Sequence, residues 1–229
     1  RKISSQPIDG VGLLRAEFMI AEIGQHPMLF VKENRQNQFI DKLADKISII
    51  AKAFNPRPVV YRATDFKSNE YRNLEGGKEF EPEEENPMIG YRGAFRYIKQ
   101  PKVFRMELAA IKKVREEFDF KNLWLMIPFV RTVNELIEVK KLVEDSGLKQ
   151  SKDFKLWMMV EVPSNVIKLV DFLSVGIDGV SIGTNDLTQL VLGLDRDSKA
   201  VAEEFDERNP AVIACVKAVS YTHLTLPTN

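Results

Sequence analysis

The chain has 229 residues, 44% hydrophobic and 29% charged, and its 33 Lys and Arg residues balance its 33 Asp and Glu residues. That composition suits a globular protein, and a formal charge of zero gives no argument for binding nucleic acid or an anionic membrane. The single cysteine excludes a disulfide within the chain, and no stretch is apolar for long enough to span a bilayer. We therefore expect a reducing, cytoplasmic setting, with no nucleic acid and no membrane as partner.

Strands and helices alternate along the sequence. The strand candidates are apolar through their middles, as in a sheet buried on both faces, and they cover 11–18, 58–66, 123–130, 155–162 and 179–186. This alternation predicts a parallel sheet, either open and doubly wound or closed into a barrel. The polar, Gly- and Pro-rich segment 67–100 is too long for a plain connection, so we expect a functional loop or small insertion there.

The intervening helices have recognisable ends. Apolar residues at helical spacing predict helices over about 40–54 and 104–118. Thr132 and Glu135 have the spacing of a capping box, and Gly147 should close the helix that they begin.

Two further helices are predicted towards the end of the chain. Ser164 is expected to cap one of them, and Asn209 followed by Pro210 is expected to begin the other. Cys215 lies on the amphipathic pattern of the last helix, so we interpret it as a small core residue. His26 is interpreted as a loop residue without a chemical role.

Charged residues stand near the C-terminal ends of four predicted strands: Arg15, Arg62, Glu161 and Asp186. In a parallel sheet those ends share one edge, and in a barrel they surround one mouth, where active sites of that fold lie. Any one of these residues alone would most often be a solvated or ion-paired rim residue. Together, two carboxylates suited to Mg²⁺ and two arginines suited to phosphate or carboxylate predict an anionic ligand bridged to a metal.

The stretch "SIGTNDLTQLVLGLDRDS" adds polar groups beside Asp186. Gly183 permits close approach of the backbone to a ligand, and Thr184 and Asn185 supply neutral hydrogen-bonding groups. Arg196 offers a third anion-binding cation, although an Asp–Arg–Asp surface cluster is the alternative interpretation.

Three segments, "GVGLLRAEFM", "VEVPSN" and "SIGTNDLTQLVLGLDRDS", resemble motifs of the phosphoenolpyruvate-utilising enzymes in the order that the family has them. The resemblance covers about residues 8–219. It implies a TIM-type (β/α)8 barrel that is incomplete in this chain, with about five strand–helix units and without the family's first strand and last two strands. It further implies binding of pyruvate and phosphoenolpyruvate.

Motif by motif, the resemblance implies a set of substrate-binding residues: Arg15, Arg62, Arg92, Glu161, Gly183, Thr184, Asn185, Asp186 and Arg196. Within that set, Glu161 and Asp186 would also bind Mg²⁺, and Arg15, Arg62 and Arg196 would hold the phosphoryl group. Arg92, in "GYRGAFRY", matches a family arginine at the same mouth.

The resemblance also implies partners outside this chain. Family members pass the phosphoryl group through a histidine on a separate domain, which with an ATP-binding domain would lie upstream, and they are often homodimers. Their acid/base cysteine follows the aspartate motif in a Gly-x-Cys-Gly-like stretch that has no match here. We therefore assign no catalytic residue, and we expect the isolated chain to be an inactive fragment.

The boundaries follow from the same comparison. Residues 1–219 are interpreted as the partial barrel, and 220–229, "SYTHLTLPTN", as a foreign or out-of-frame tail. Two alternatives stay open at this point: a different phosphotransferase of the same family, and a non-catalytic binding module.

Overall fold

The computed structural model describes residues 4–225, with side chains described as far as residue 222. Five parallel strands lie side by side in sequence order and curl into a half-barrel. They are β1 (Val11–Arg15), β2 (Val59–Arg62), β3 (Leu123–Ile127), β4 (Leu156–Val160) and β5 (Gly179–Ile182). All five strand predictions are confirmed, each with narrower bounds, and the fold is an incomplete α/β barrel.

Helices fill the connections between these strands. Those that the structure describes are α1 (Ala16–Ile23), α2 (Pro27–Lys32), α3 (Gln36–Phe54), α4 (Ser68–Arg72), α5 (Gly77–Phe80), α6 (Gly93–Lys99), α7 (Pro101–Glu116), α8 (Val133–Asp145), α9 (Pro163–Ile167), α10 (Leu169–Ser174), α11 (Thr184–Leu192) and α12 (Pro210–Thr225). Single 3₁₀ turns lie at Pro87–Ile89 and Ala202–Glu204. In the described residues, no helix is both long and apolar enough to cross a membrane.

The two faces of the half-barrel are built from alternate residues of each strand. On the convex face, side chains such as Tyr61, Leu125 and Met158 are fully buried in the core that includes α3, α7 and α8. On the concave face, Val60, Met126 and Met159 form a smaller cluster, against which Trp124 and Trp157 pack while remaining half-buried. The period-2 alternation of the strands thus places one set of side chains under the helices and another inside the curl.

Several predicted helix ends are confirmed. The Thr132 hydroxyl accepts the backbone N–H of Glu135 at 3.2 Å, and α8 ends two residues before Gly147, which has φ +91°. Asn209 caps α12 by accepting the N–H of Ala211 at 2.9 Å.

Two expectations about this part of the chain are wrong. Ser164 is no cap, because it lies inside α9 and its hydroxyl donates to the carbonyl of Arg131 at 2.7 Å. The capping role belongs to Asn165, whose side-chain oxygen accepts the N–H of Val162 at 3.0 Å. Cys215 is half-buried on α12 instead of a core residue, since that helix has its buried positions at Val212 and Val219.

The segment 67–100 is folded on itself. Glu81, fully buried, accepts two hydrogen bonds from Arg96, at 2.5 and 2.7 Å, and lies 3.0 Å from His26 Nε2. His26 is therefore a buried anchor between the start of α2 and this segment, and more than a plain loop residue. Glu84 accepts the N–H of Tyr91 at 2.9 Å. These contacts hold the segment together and join it to the start of α2.

Candidate anion- and metal-binding site

A cavity of about 820 Å³ opens at the C-terminal ends of the strands. Its lining includes every residue that the sequence singles out for substrate binding: Arg15, Arg62, Arg92, Glu161, Gly183, Thr184, Asn185, Asp186 and Arg196. Their proximity is a consequence of parallel topology, because residues far apart in sequence meet wherever strands end on the same edge.

Two arginines stand side by side at one wall of this cavity. Arg15 ends β1, Arg62 ends β2, and the two are direct partners in the parallel register. Like charges on adjacent strands repel, so this arrangement is stabilised by a nearby anion. Glu17 supplies one, accepting from Arg62 at 3.0 Å. Within the described residues, the buried Nε of Arg62 has no hydrogen-bond partner and Arg15 is exposed without an ion pair.

Glu161 follows directly after β4 and is buried. Its Oε1 accepts the backbone N–H of Phe129 at 2.7 Å, and Phe129 has a positive φ of +47°. Burial, followed by the neighbouring carboxylates of Asp65 and Asp186, raises the pKa of Glu161 to about 8. A buried carboxylate among other carboxylates is costly, which indicates that a cation belongs beside it.

Gly183 makes room for that carboxylate. A Cβ at this position would lie 2.6 Å from Glu161 Oε2 and 2.9 Å from the Met159 methyl group. The sequence suggests glycine at position 183 because a ligand approaches the backbone there. The structure adds a second reason, which is that a larger residue would collide with the Glu161 carboxylate. Its φ of −91° is ordinary, so space and not backbone conformation requires glycine here.

Asp186 is placed differently from the prediction. Strand β5 ends at Ile182, and Asp186 lies in the first turn of α11, buried within the cavity wall. Arg92 donates to both of its oxygens at 3.4 Å, and Arg196 lies 3.8 Å from Oδ1. The helical turn still brings Asp186 to the same rim, because α11 begins where β5 ends.

Arg92 is buried and its donors have protein partners. It binds Asp65 through Nε at 3.0 Å and through a terminal nitrogen at 2.6 Å, and it donates to the carbonyl of Met88 at 3.0 Å. Because the remaining contacts go to Asp186, the geometry favours Arg92 as a residue that orients Asp186 over one that binds substrate directly. Gly93 permits this turn, since its φ is +60° and a Cβ would lie 2.5 Å from that of Phe129.

The remaining predicted residues line the outer part of the cavity. Thr184 donates its hydroxyl to Glu207 at 2.6 Å, and the backbone N–H of Arg196 donates to Gln189 at 3.2 Å. Asn185 is exposed at the N-terminal end of α11. The Arg196 side chain is partly exposed, and its guanidinium is available at the cavity edge.

Sequence reasoning missed Glu17 and Asp65. Glu17 accepts from Arg62 and, at 2.6 Å, from the N–H of Asp65, and burial raises its pKa against the opposing effect of Arg62. Asp65 forms the paired contact with Arg92. A signal for both was present, since each lies two or three residues beyond an arginine at a strand end.

The donors present fit a magnesium ion. Glu161 and Asp186 line one cavity and interact electrostatically, and magnesium is bound through one or two carboxylates with its other positions left to water and substrate oxygens. No group of three or more His, Cys, Asp or Glu residues that could hold a metal occurs in the part of the chain that the structure describes. The residues thus suit a site completed by a ligand rather than a closed structural metal site.

The fold and the cavity define a class: an α/β-barrel domain with a cavity lined by arginines and carboxylates at the C-terminal ends of its strands. Residues 1–223 match the family model described as PEP-utilising enzyme, PEP-binding domain. The chain belongs to this family. The match continues past residue 219, as does α12, so the proposed division between barrel and tail at that residue stays a prediction.

Curated relatives narrow the comparison. The chain is 53% identical to a protein of Staphylothermus marinus named "Probable phosphoenolpyruvate synthase", over 95% of this chain and 27% of that protein. It is 53% identical to the phosphoenolpyruvate synthase of Aeropyrum pernix, over 92% and 26% respectively. With the phosphoenolpyruvate synthase of Synechocystis it shares 48% identity, over 93% and 29%. The chain thus spans about a quarter of the length of these relatives.

Proposed function

We propose that this chain is the pyruvate- and phosphoenolpyruvate-binding part of a phosphoenolpyruvate synthase, a phosphotransferase that converts ATP, pyruvate and water to phosphoenolpyruvate, AMP and phosphate. The observation that carries the proposal is one cavity in which Glu161 and Asp186 face unpaired arginine donors. The names of the relatives, together with the resemblance of "VVYRATDFKSNEYRNLEGG" to the synthases, favour this activity over that of pyruvate phosphate dikinase.

In this proposal the two halves of the cavity bind different parts of the ligand. Arg15 and the free Nε of Arg62 lie together at the β1–β2 wall, where fork-shaped donors suit the oxygens of a phosphoryl group. Arg196 adds a third cation at the outer edge. Gly183, Thr184 and Asn185 contact the carboxylate end of the substrate from the start of α11.

Glu161 and Asp186 would hold Mg²⁺ opposite the arginines. Bound there, the ion would supply positive charge next to the pyruvate oxygens that become negative as the enolate forms. Arg92 keeps Asp186 oriented through its contacts with both carboxylate oxygens. Glu17 orients Arg62 by accepting a hydrogen bond from it.

The phosphoryl group would reach this cavity on a histidine of a separate domain, and ATP would bind to another domain of the parent protein. We further propose a cytoplasmic setting and dimer formation through this domain. Because the chain is a fraction of its relatives' length, these properties concern the whole protein.

Calorimetry with oxalate, a mimic of the pyruvate enolate, tests the proposal directly. The 229-residue chain should bind oxalate in the presence of Mg²⁺ and not in its absence. Glu161→Gln should abolish this metal-dependent binding, while Glu138→Gln, on the exposed face of α8, should leave it unchanged. Identical titrations for the wild-type chain and Glu161→Gln would reject the proposed site.

A further inference from the structure

Lys67 lines the same cavity, although the polar segment around it suggests a solvated loop. Its backbone is fixed at the start of α4, because its N–H donates to Glu70 at 2.8 Å and its carbonyl accepts from Tyr71 at 3.0 Å. Its side chain is only 12% exposed. The ammonium group is therefore held at the cavity wall by the local fold.

The contacts of this ammonium group are loose. Its oxygen partners are Asp197 at 3.3 Å and Glu70 at 3.6 Å, and both of these carboxylates are well exposed. Its third neighbour is the thioether of Met88 at 3.1 Å, which is a weak acceptor. Charge-assisted bonds normally close to 2.7–2.9 Å, as in the pair of Lys113 with Asp41 at 2.8 Å.

The position of Asp197 is informative. It directly follows Arg196, and its contact with Lys67 joins two loops that are 130 residues apart in sequence across the cavity mouth. The Asp197 carboxylate is 60% exposed, and ion pairs to such a solvated group are weak, so a doubly charged anion inside the cavity can displace it.

We propose that Lys67 binds the phosphoryl group of the substrate. In the absence of substrate, the Asp197 carboxylate pairs with the Lys67 ammonium group, and the phosphoryl group displaces that carboxylate on binding. This rests on the proposed function and adds a cation, supplied by the 67–100 segment, to the arginines. An ammonium with three rotatable donors suits phosphoryl oxygens whose orientation differs between the donor histidine and the product.

The test compares two ligands that differ in the phosphoryl group. Calorimetry with Mg²⁺ and either phosphoenolpyruvate or oxalate is carried out on the wild-type chain and on Lys67→Gln. We expect Lys67→Gln to weaken phosphoenolpyruvate binding about tenfold and to leave oxalate binding within about twofold. Lys78→Gln is the matched control, because Lys78 is an exposed lysine of the same segment outside the cavity, and it should change neither.

Asp197→Asn separates binding from a structural role. If Asp197 competes with the phosphoryl group, its neutralisation should leave phosphoenolpyruvate affinity unchanged or raise it about two- to threefold. If the pair only ties two loops together, Asp197→Asn and Lys67→Gln should weaken both ligands equally, and the proposal is wrong. Thermal unfolding of each variant checks that the fold is retained.

Failure of the proposed function looks different. A wild-type chain that binds neither ligand in the presence of Mg²⁺ rejects the proposed function and this inference together. Metal-dependent oxalate binding with equal phosphoenolpyruvate affinity in wild type and Lys67→Gln rejects the role of Lys67 alone.

Discussion

Two buried glutamates in different regions have contrasting surroundings, which suit Glu81 to a structural role and Glu161 to the proposed ligand-binding role. Glu81, in the 67–100 segment, is enclosed by Arg96 and His26 and accepts three close contacts from them. Glu161, at the cavity, is as deeply buried, but its carboxylate accepts only the Phe129 N–H among the described residues and has carboxylates as neighbours.

Their pKa values move in opposite directions. Burial acts to raise the pKa of Glu81, but hydrogen bonds from His26 and Arg96 outweigh it and lower the pKa below its ordinary value. Burial raises the pKa of Glu161 to about 8, because Asp65 and Asp186 add to it and Arg62 compensates only in part. The first site is electrostatically complete, whereas the second has room for a cation.

The largest effect should come from breaking the complete cluster. Arg96→Met leaves the Glu81 carboxylate buried with a single partner and also removes the stacking of the guanidinium on Tyr71 and Tyr91. We expect the free energy of unfolding to fall by about 3–5 kcal/mol, measured by urea denaturation at pH 7. Glu161→Gln is the contrasting variant, which should cause no loss, since a carboxyl group with a pKa of about 8 is largely protonated at pH 7 and the amide replaces it without a change of charge. Equal losses in the two variants would contradict the comparison.

A smaller effect is expected when Glu161 is displaced without altering its charge. In Gly183→Ala the new methyl group would lie 2.6 Å from Glu161 Oε2, so the carboxylate or the strand must shift. We expect a loss of about 1–3 kcal/mol in unfolding free energy, together with loss of Mg²⁺-dependent oxalate binding.

Gly12→Ala is the matched control for that substitution. A Cβ at Gly12 meets nothing within 4 Å, so both stability and binding should be kept. Retention of oxalate binding in Gly183→Ala would show that the close contact between Gly183 and Glu161 does not control the site.

The sequence was most informative where periodicity and topology decide the structure. Five apolar segments predicted five strands, and parallel order alone requires Arg62 and Glu161 to approach one edge. The resemblance added Arg92 to the site. It did not show that Arg92 donates two hydrogen bonds to Asp65, because a motif gives residue types without their hydrogen-bond partners.

Contacts between distant segments were less accessible from the sequence. The pairing of Glu81 with His26 depends on how the 67–100 segment folds back on α2, and no local pattern specifies that packing. Ser164 and Asn165 are both good helix caps, and only the course of the chain between β4 and α9 decides which of them acts. Asp186 was misplaced on a strand because apolar patterns do not fix the last residue of a strand.

A third glutamate lies between these two extremes. Glu107, buried within α7, accepts hydrogen bonds from the Tyr61 hydroxyl at 2.7 Å and from the Thr64 N–H and hydroxyl at 2.9 Å each. In the part of the chain that the structure describes, Glu107 thus has neutral donors and no cationic partner. Burial raises its pKa to about 7 despite these hydrogen bonds, which act in the opposite direction.

The smallest predicted effect is a change in pH dependence from Glu107→Gln. A carboxyl group whose pKa is raised in the folded state stabilises the fold below its unfolded pKa of about 4.5, and that stabilisation is lost as pH rises through about 7. The amide oxygen can accept the same three hydrogen bonds but does not titrate.

Urea denaturation between pH 5 and 8 should therefore show stability falling less steeply in the variant than in the wild type, by up to about 1.4 kcal/mol per pH unit. Glu161 titrates in both proteins, so the difference between the two curves reports Glu107 together with its electrostatic interaction with Glu17, and Glu116→Gln, exposed on the same helix, should follow the wild type. Parallel curves for Glu107→Gln and the wild type would show that neutral donors alone keep a buried carboxylate ionised, and the distinction between Glu81 and Glu161 would then no longer depend on the cation.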